Sequence, residues 1–117
     1  MLDSHNSPEV FIVLGSTDMR KAINGLSTMV FDSLEKDPFS GSYFVFCSAN
    51  RRQIKILYYD RNGFCLWQKR LEKGYFIWPE NPQEVLGISY RELRWLLDGL
   101  NPTTLKGHPS LEFKNLF

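Results

Sequence analysis

Asp60-Arg61-Asn62-Gly63 is a tight-turn sequence set between two runs rich in β-branched and aromatic residues, Ile54–Tyr59 and Phe64–Leu71. Asn and Gly tolerate the positive φ that a short turn demands, and a connection this short makes the flanking strands antiparallel neighbours. If an Arg61-Asn62-Gly63 turn pairs Asp60 with Phe64, Leu57 faces Trp67 and Lys55 faces Lys69. Lys55, Leu57, Tyr59, Trp67 and Lys69 then share one face of the hairpin, and Ile54, Ile56, Tyr58, Leu66 and Gln68 share the other. A one-residue shift of register would exchange these partners.

Two further runs extend the β region. Tyr43–Cys47 precedes the hairpin, and Tyr75–Trp78 follows the Glu72-Lys73-Gly74 turn. The short connections predict a continuous antiparallel meander from Tyr43 to Trp78. Val10–Gly15 is an apolar run closed by glycine and reads as another, buried strand. Ser16, Thr17 and Asp18 are suited to cap a helical turn, and Asn24 to cap a longer helix. That helix has Leu26, Met29, Val30, Ser33 and Leu34 as its buried stripe and stops at Lys36–Gly41, where Pro38 disfavours helix at Asp37. Ser89 and Glu92 form a capping box for a helix over Tyr90–Asp98. Leu93, Leu96, Leu97 and Leu100 form its apolar stripe, and Gly99 its C-terminal cap. The expected fold is a single α+β domain: an antiparallel four- to five-stranded meander sheet with two helices packed on one face. The domain spans residues 10–100, preceded by a mobile N-terminal segment (1–9) and followed by a tail (101–117) that either docks through Leu111, Phe113 and Phe117 or stays mobile.

The net charge of the whole chain is only +1, so no overall polyelectrolyte character draws it to nucleic acid. The charges are nevertheless unevenly placed. Residues 51–74 hold seven Lys/Arg and two Asp/Glu, whereas residues 1–50 hold three and six. A local concentration of this kind is what attracts a polyanion. Arg51 and Arg52 lie at the tip before the hairpin, Lys55, Lys69 and Arg70 along its strands, and Tyr59 and Trp67 are aromatics available for stacking. Arg20 and Lys21, beside a helix start, either hold a phosphate or belong to a capped turn with an Asp18 ion pair. The pattern fits three readings: a nucleic-acid surface, a protein interface, or a solvated sheet whose aromatics form core.

Catalysis finds no support. His5 and His108 lie near opposite ends of the chain without spaced Cys, His, Asp or Glu partners, so no metal site is expected. No phosphate loop or Ser/His/Asp signature occurs, and no cofactor is expected. Asp18, Asp60 and Asp98 are scattered aspartates of the kind most domains contain. Cys47 and Cys65 sit in apolar runs and read as small buried hydrophobes. The opening residues lack the pattern of a signal peptide, and no apolar run approaches the roughly 18 residues that span a bilayer. A cytoplasmic protein without membrane contact is expected.

Several stretches taken together resemble a known family: "STDMRKAINGL", "KDPFSGSYFVF", "RRQIKILYYDRNGFCLWQKRLEKGYFIWP" and "LRWLLDGL". In order and spacing they are similar to the TnpB-type accessory protein of the insertion sequence 66 family, the second open reading frame of these bacterial mobile elements. It is unrelated to the RNA-guided nuclease of the same name. The resemblance covers Val10 to Leu100. Its signature residues here include Thr17–Lys21, Asp37–Gly41, Arg52, Lys55, Asp60, Gly63, Lys69, Arg70, Gly74, Trp78 and Pro79. Ala22 and Asn24 depart from a frequent Gly and Asp, and Cys47 stands where a basic residue is common. The resemblance implies a non-catalytic accessory role in DNA transposition beside a separate transposase. The expected partners are element-end DNA, met through the basic aromatic hairpin, and the transposase or other element-encoded proteins. An adaptor that touches only those proteins is the alternative.

Overall fold

The computed structural model describes residues 8–80 and 85–99. The expected N-terminal segment before Pro8, the tail, and Leu100 of the leucine stripe lie outside the described residues. The elements are β1 (Val10–Val13), α1 (Ile23–Asp32), β2 (Tyr43–Cys47), β3 (Gln53–Asp60), β4 (Gly63–Arg70), β5 (Val85–Ile88) and α2 (Tyr90–Leu97). They build one five-stranded sheet in the order β4-β3-β2-β1-β5.

The meander is real for β2, β3 and β4, which pair antiparallel in succession. It ends at Arg70, not Trp78. β1 joins β2 in parallel, Val10 opposite Tyr43, and β5 adds antiparallel to the far side of β1. The sheet is therefore mixed, though mostly antiparallel. The parallel pair follows from α1, which carries the chain back across the sheet between β1 and β2. Tyr75–Trp78 has the period of a strand without its hydrogen bonds. Phe76 and Trp78 are buried while Tyr75 and Ile77 face outward, but Phe76 N donates to Arg51 O and Trp78 Nε1 to Val13 O. The segment thus crosses the strand ends instead of extending the ladder.

Alternation along the strands divides the core into two layers. Val10, Ile12, Tyr43, Val45, Cys47, Ile54 and Ile56 pack with Leu93, Leu96 and Leu97 of α2. Val13, Phe44, Phe46 and Leu57 pack with Leu26 and Val30 of α1. The helices therefore cover opposite faces, not one. β2, at the centre of the sheet, is buried at every position, which explains its unbroken apolar run.

The α2 capping box is complete: Ser89 Oγ accepts from Glu92 N at 3.1 Å, and Ser89 N donates to Glu92 Oε1 at 2.7 Å. Asp98 is the C-cap, and Gly99 beyond it has φ of 80°. α1 begins two residues earlier than its Asn cap would place it. Ala22 is the N-cap without a side-chain bond, and Asn24 lies inside the helix. Because α1 ends at Asp32, Ser33 is its exposed C-cap rather than a member of the buried stripe.

Candidate nucleic-acid interface

Strand direction brings the dispersed cations together. β1 and β2 run parallel and finish at the same end of the sheet, where β3 begins and β4 finishes. The loop carrying Arg20 and Lys21, the turn carrying Arg51 and Arg52, the first residues of β3 with Lys55, and the last residues of β4 with Lys69 and Arg70 all meet there. Lys73, absent from the candidates read in sequence, lies in the turn after β4 at that same end. The carboxylates among them are Asp18, Glu72, Glu80 and Asp98. Asp60 sits at the opposite end, so Asp18, Asp60 and Asp98 do not converge. Among the described residues no three His, Cys, Asp or Glu side chains gather in a metal-binding group.

The hairpin register differs by one residue from the expected pairing. Asp60 pairs with Gly63 across a two-residue Arg61-Asn62 loop, Lys55 with Gln68, Ile56 with Trp67 and Leu57 with Leu66. Trp67 and Lys69 therefore leave the Lys55 face. Gln53, Lys55, Leu57 and Tyr59 share the α1 side with Phe64, Leu66, Gln68 and Arg70, while Trp67 packs half-buried on the α2-side core. Tyr59 lies near the other end of the sheet, 5.1 Å from both Phe39 and Phe64 by ring centroids. The two aromatics therefore do not stand beside the cations as one stacking platform.

Each cation has a distinct setting. Lys55 Nζ donates to Met19 O at 2.8 Å and Lys21 O at 2.9 Å, fastening the loop before α1 onto the sheet. Lys69 Nζ donates to Leu97 O at 2.8 Å. Arg51 is at the turn, as expected, but its side chain is only 13% exposed. Its Nη1 donates to Gly15 O at 2.9 Å and Ser48 O at 3.3 Å, and its Nη2 forms an ion pair with Glu80. Arg51 has φ of 61°, and its turn is held by Ser48 Oγ, which accepts from Arg52 N and Gln53 N. Arg70 pairs at 3.2 Å with Glu72, both largely exposed.

Arg20 grips Asp18 with two nitrogens, Nε at 3.1 Å from Oδ1 and Nη2 at 2.7 Å from Oδ2, while its backbone N–H donates to Oδ1. The capped turn with an Asp18 ion pair is thus present. The guanidinium hydrogen bond, helped by that backbone N–H, lowers the Asp18 pKa to about 2. Lys21 and Arg52 project from this end as exposed side chains. At the start of β3 and the end of β4 lies a depression of about 280 Å³ lined by Gln53, Gln68, Lys69, Arg70 and Glu72.

The two cysteines are free and lie on strands separated by β3. Burial raises the Cys47 pKa, with Arg51 partly opposing, which keeps this thiol protonated and inert. No helix among the described residues is long and apolar enough to cross a membrane.

Residues 8–107 match the family described as IS66 Orf2 like protein. The chain is 36% identical over 101 residues to uncharacterized protein y4hO of Sinorhizobium fredii, covering 86% of this chain and 88% of that one. It is 31% identical over 109 residues to uncharacterized protein y4jC of the same organism, covering 93% of each. No solved structure matches it significantly. On the family match across most of its length, the chain belongs to the IS66 Orf2-like proteins, the transposition-associated accessory proteins of insertion sequences.

Proposed function

We propose that this protein is a non-catalytic accessory factor of transposition that contacts element-end DNA through the basic end of its sheet, beside the transposase. One observation carries the reading. Cations from three separate stretches of a chain whose net charge is only +1 converge on one end of the sheet. Such a surface attracts phosphates and confers little base selectivity. Lys21, Arg52 and Lys73 are exposed there, as are Arg20 and Arg70. Arg20 and Arg70 are paired with Asp18 and Glu72 but remain exposed, so their guanidinium groups stay accessible to a phosphate. Lys55 and Arg51 hold the loops of this end in place, and Lys69 fastens the end of α2 to β4.

The test is fluorescence anisotropy with element-end DNA across a salt series. Affinity should be weak, about 10⁻⁴–10⁻⁶ M near physiological salt, with log K falling by roughly 0.9 per log salt for each phosphate neutralised. Lys21→Glu combined with Arg52→Glu should flatten the slope by roughly two units while leaving the melting curve unchanged. An unchanged slope and affinity would remove DNA contact from this end and leave the adaptor reading in its place.

A further inference from the structure

The opposite end of the molecule has the reverse character. On the α1 side a groove of about 390 Å³ runs between the helix and the turn that follows it, lined by Ser27, Thr28, Phe31, Asp32, Pro38 and Phe39. Phe31 is 66% exposed and Phe39 60% exposed, so two large apolar rings face solvent at one opening. Isolated exposed apolar residues need no explanation, but two rings walling one groove do.

The Phe39 wall is fixed in position. Its ring lies 5.1 Å from those of Tyr59 and Phe64, and its backbone N–H donates to Asp37 Oδ1 at 2.9 Å. A wall already ordered loses little freedom when something binds against it. Charge then restricts what that occupant is. Asp32 lines the groove and Asp37 stands at its edge. Glu35 lies in the intervening turn, and Asp60 at the hairpin tip next to Tyr59. Lys36 is drawn away, its Nζ 4.4 Å above the Phe11 ring. Arg61 at the hairpin tip is the opposing charge. A polyanion is disfavoured here, whereas a cationic segment is attracted.

We infer that this groove docks a protein segment in which an aliphatic or aromatic side chain is flanked by Lys or Arg. The apolar anchor lies between Phe31 and Phe39, and the flanking cations meet Asp32 and Asp37. This deepens the reading of an accessory factor with a protein partner, and assigns that partner to the end remote from the basic surface.

The probe is a capped hexapeptide, Arg-Lys-Leu-Phe-Arg-Lys, titrated into the ¹⁵N-labelled full chain. Two control peptides replace either its cations by Glu or its Leu-Phe by Gly-Gly. Saturable shifts are expected at the amides of residues 27–32 and of Asp37 and Phe39, and neither control should produce them. Phe31→Ser, at an exposed position, should weaken binding by about tenfold or more, as loss of a central anchor does. Asp32→Lys should weaken it as well. Both variants should keep the wild-type salt slope on DNA, and Lys21→Glu with Arg52→Glu should keep the peptide shifts. The two ends can therefore fail separately. Absence of saturation at the groove, equal binding of the acidic peptide, or shifts confined to the basic end would overturn the inference. So would concentration-dependent self-association abolished by Phe31→Ser, since the occupant would then be a second copy.

Discussion

Lys69 Nζ sits 2.8 Å from the carbonyl oxygen of Leu97, so a cation at the end of the edge strand β4 caps the C-terminus of α2. The last carbonyls of a helix have no partner within it and carry the negative end of its dipole. One interaction thereby joins the edge of the sheet to the layer that covers it.

Replacing Lys69 by Met keeps most of the stem but removes the charge and the donors. Stability should fall by about 1–2 kcal/mol, the range for a charge-assisted hydrogen bond at a helix end. Urea unfolding measures this directly. A variant as stable as the wild type would mean that the contact contributes nothing.

Arg51 should be the most sensitive of the cations. Arg51→Ala strips donors from Gly15 O and Ser48 O and leaves Glu80 without its partner. Destabilisation of about 2–4 kcal/mol is expected, from the loss of a largely buried charged hub. Arg51→Lys should recover only part of it, because one ammonium on a flexible stem cannot reproduce the planar fork. The midpoint of urea unfolding should move while its slope stays constant.

Arg61 occupies the left-handed region at φ of 53°, at the first position of the two-residue hairpin loop. A residue with a Cβ is strained there, and glycine is not. Arg61→Gly should therefore raise stability, by about 0.5–1 kcal/mol after the entropy cost of glycine in the unfolded chain is subtracted. A lower melting temperature in this variant would contradict the described turn.

Asp18 gives the pH prediction. Its pKa falls from 3.8 to about 2 because Arg20 and the turn backbone favour the carboxylate. A depressed acid contributes stability above its unfolded pKa and loses it as pH falls through the folded one, here between about 4 and 2. A carbon-detected NMR titration of the Asp18 carboxyl should show the low midpoint in the wild type. Arg20→Gln should return it toward the ordinary value. A wild-type midpoint near 3.8 would show that the pair does not persist in solution.

What could be read beforehand was whatever the chain encodes locally. The α2 capping box, the hairpin turn and the β2 run each lie within a few consecutive residues, and their positions in the structure agree with the sequence reading to within about one residue. The parallel β1–β2 pair and the placement of β5 beyond β1 depend on closure over long stretches of chain, which no short window reports. The four residues of β5 carry too weak a period to announce a strand. The hairpin register turned on whether Gly63 belonged to the loop or to β4, and that single residue moved Trp67 and Lys69 to the other face. At the candidate site, the charge excess was visible in sequence, but the settings of the cations were not. Arg51 and Lys55 reach carbonyls 36 residues away in the chain. The exposure of Phe31 and Phe39 was equally hidden, since an apolar residue in a helix or after a proline normally reads as core.

The position of β1 between β2 and β5 has a consequence for synthesis. As the nascent chain leaves the ribosome, β1 can pair with β2 once Cys47 has emerged, yet its other edge stays open until Val85–Ile88 follows. Over that interval an apolar strand edge is unpaired and Val10 and Ile12 lack the leucines of α2 above them. An open apolar edge invites pairing with another chain. Ribosomes translating one message in close succession would hold several such edges near each other, and a pause in translation before Val85 would prolong their exposure.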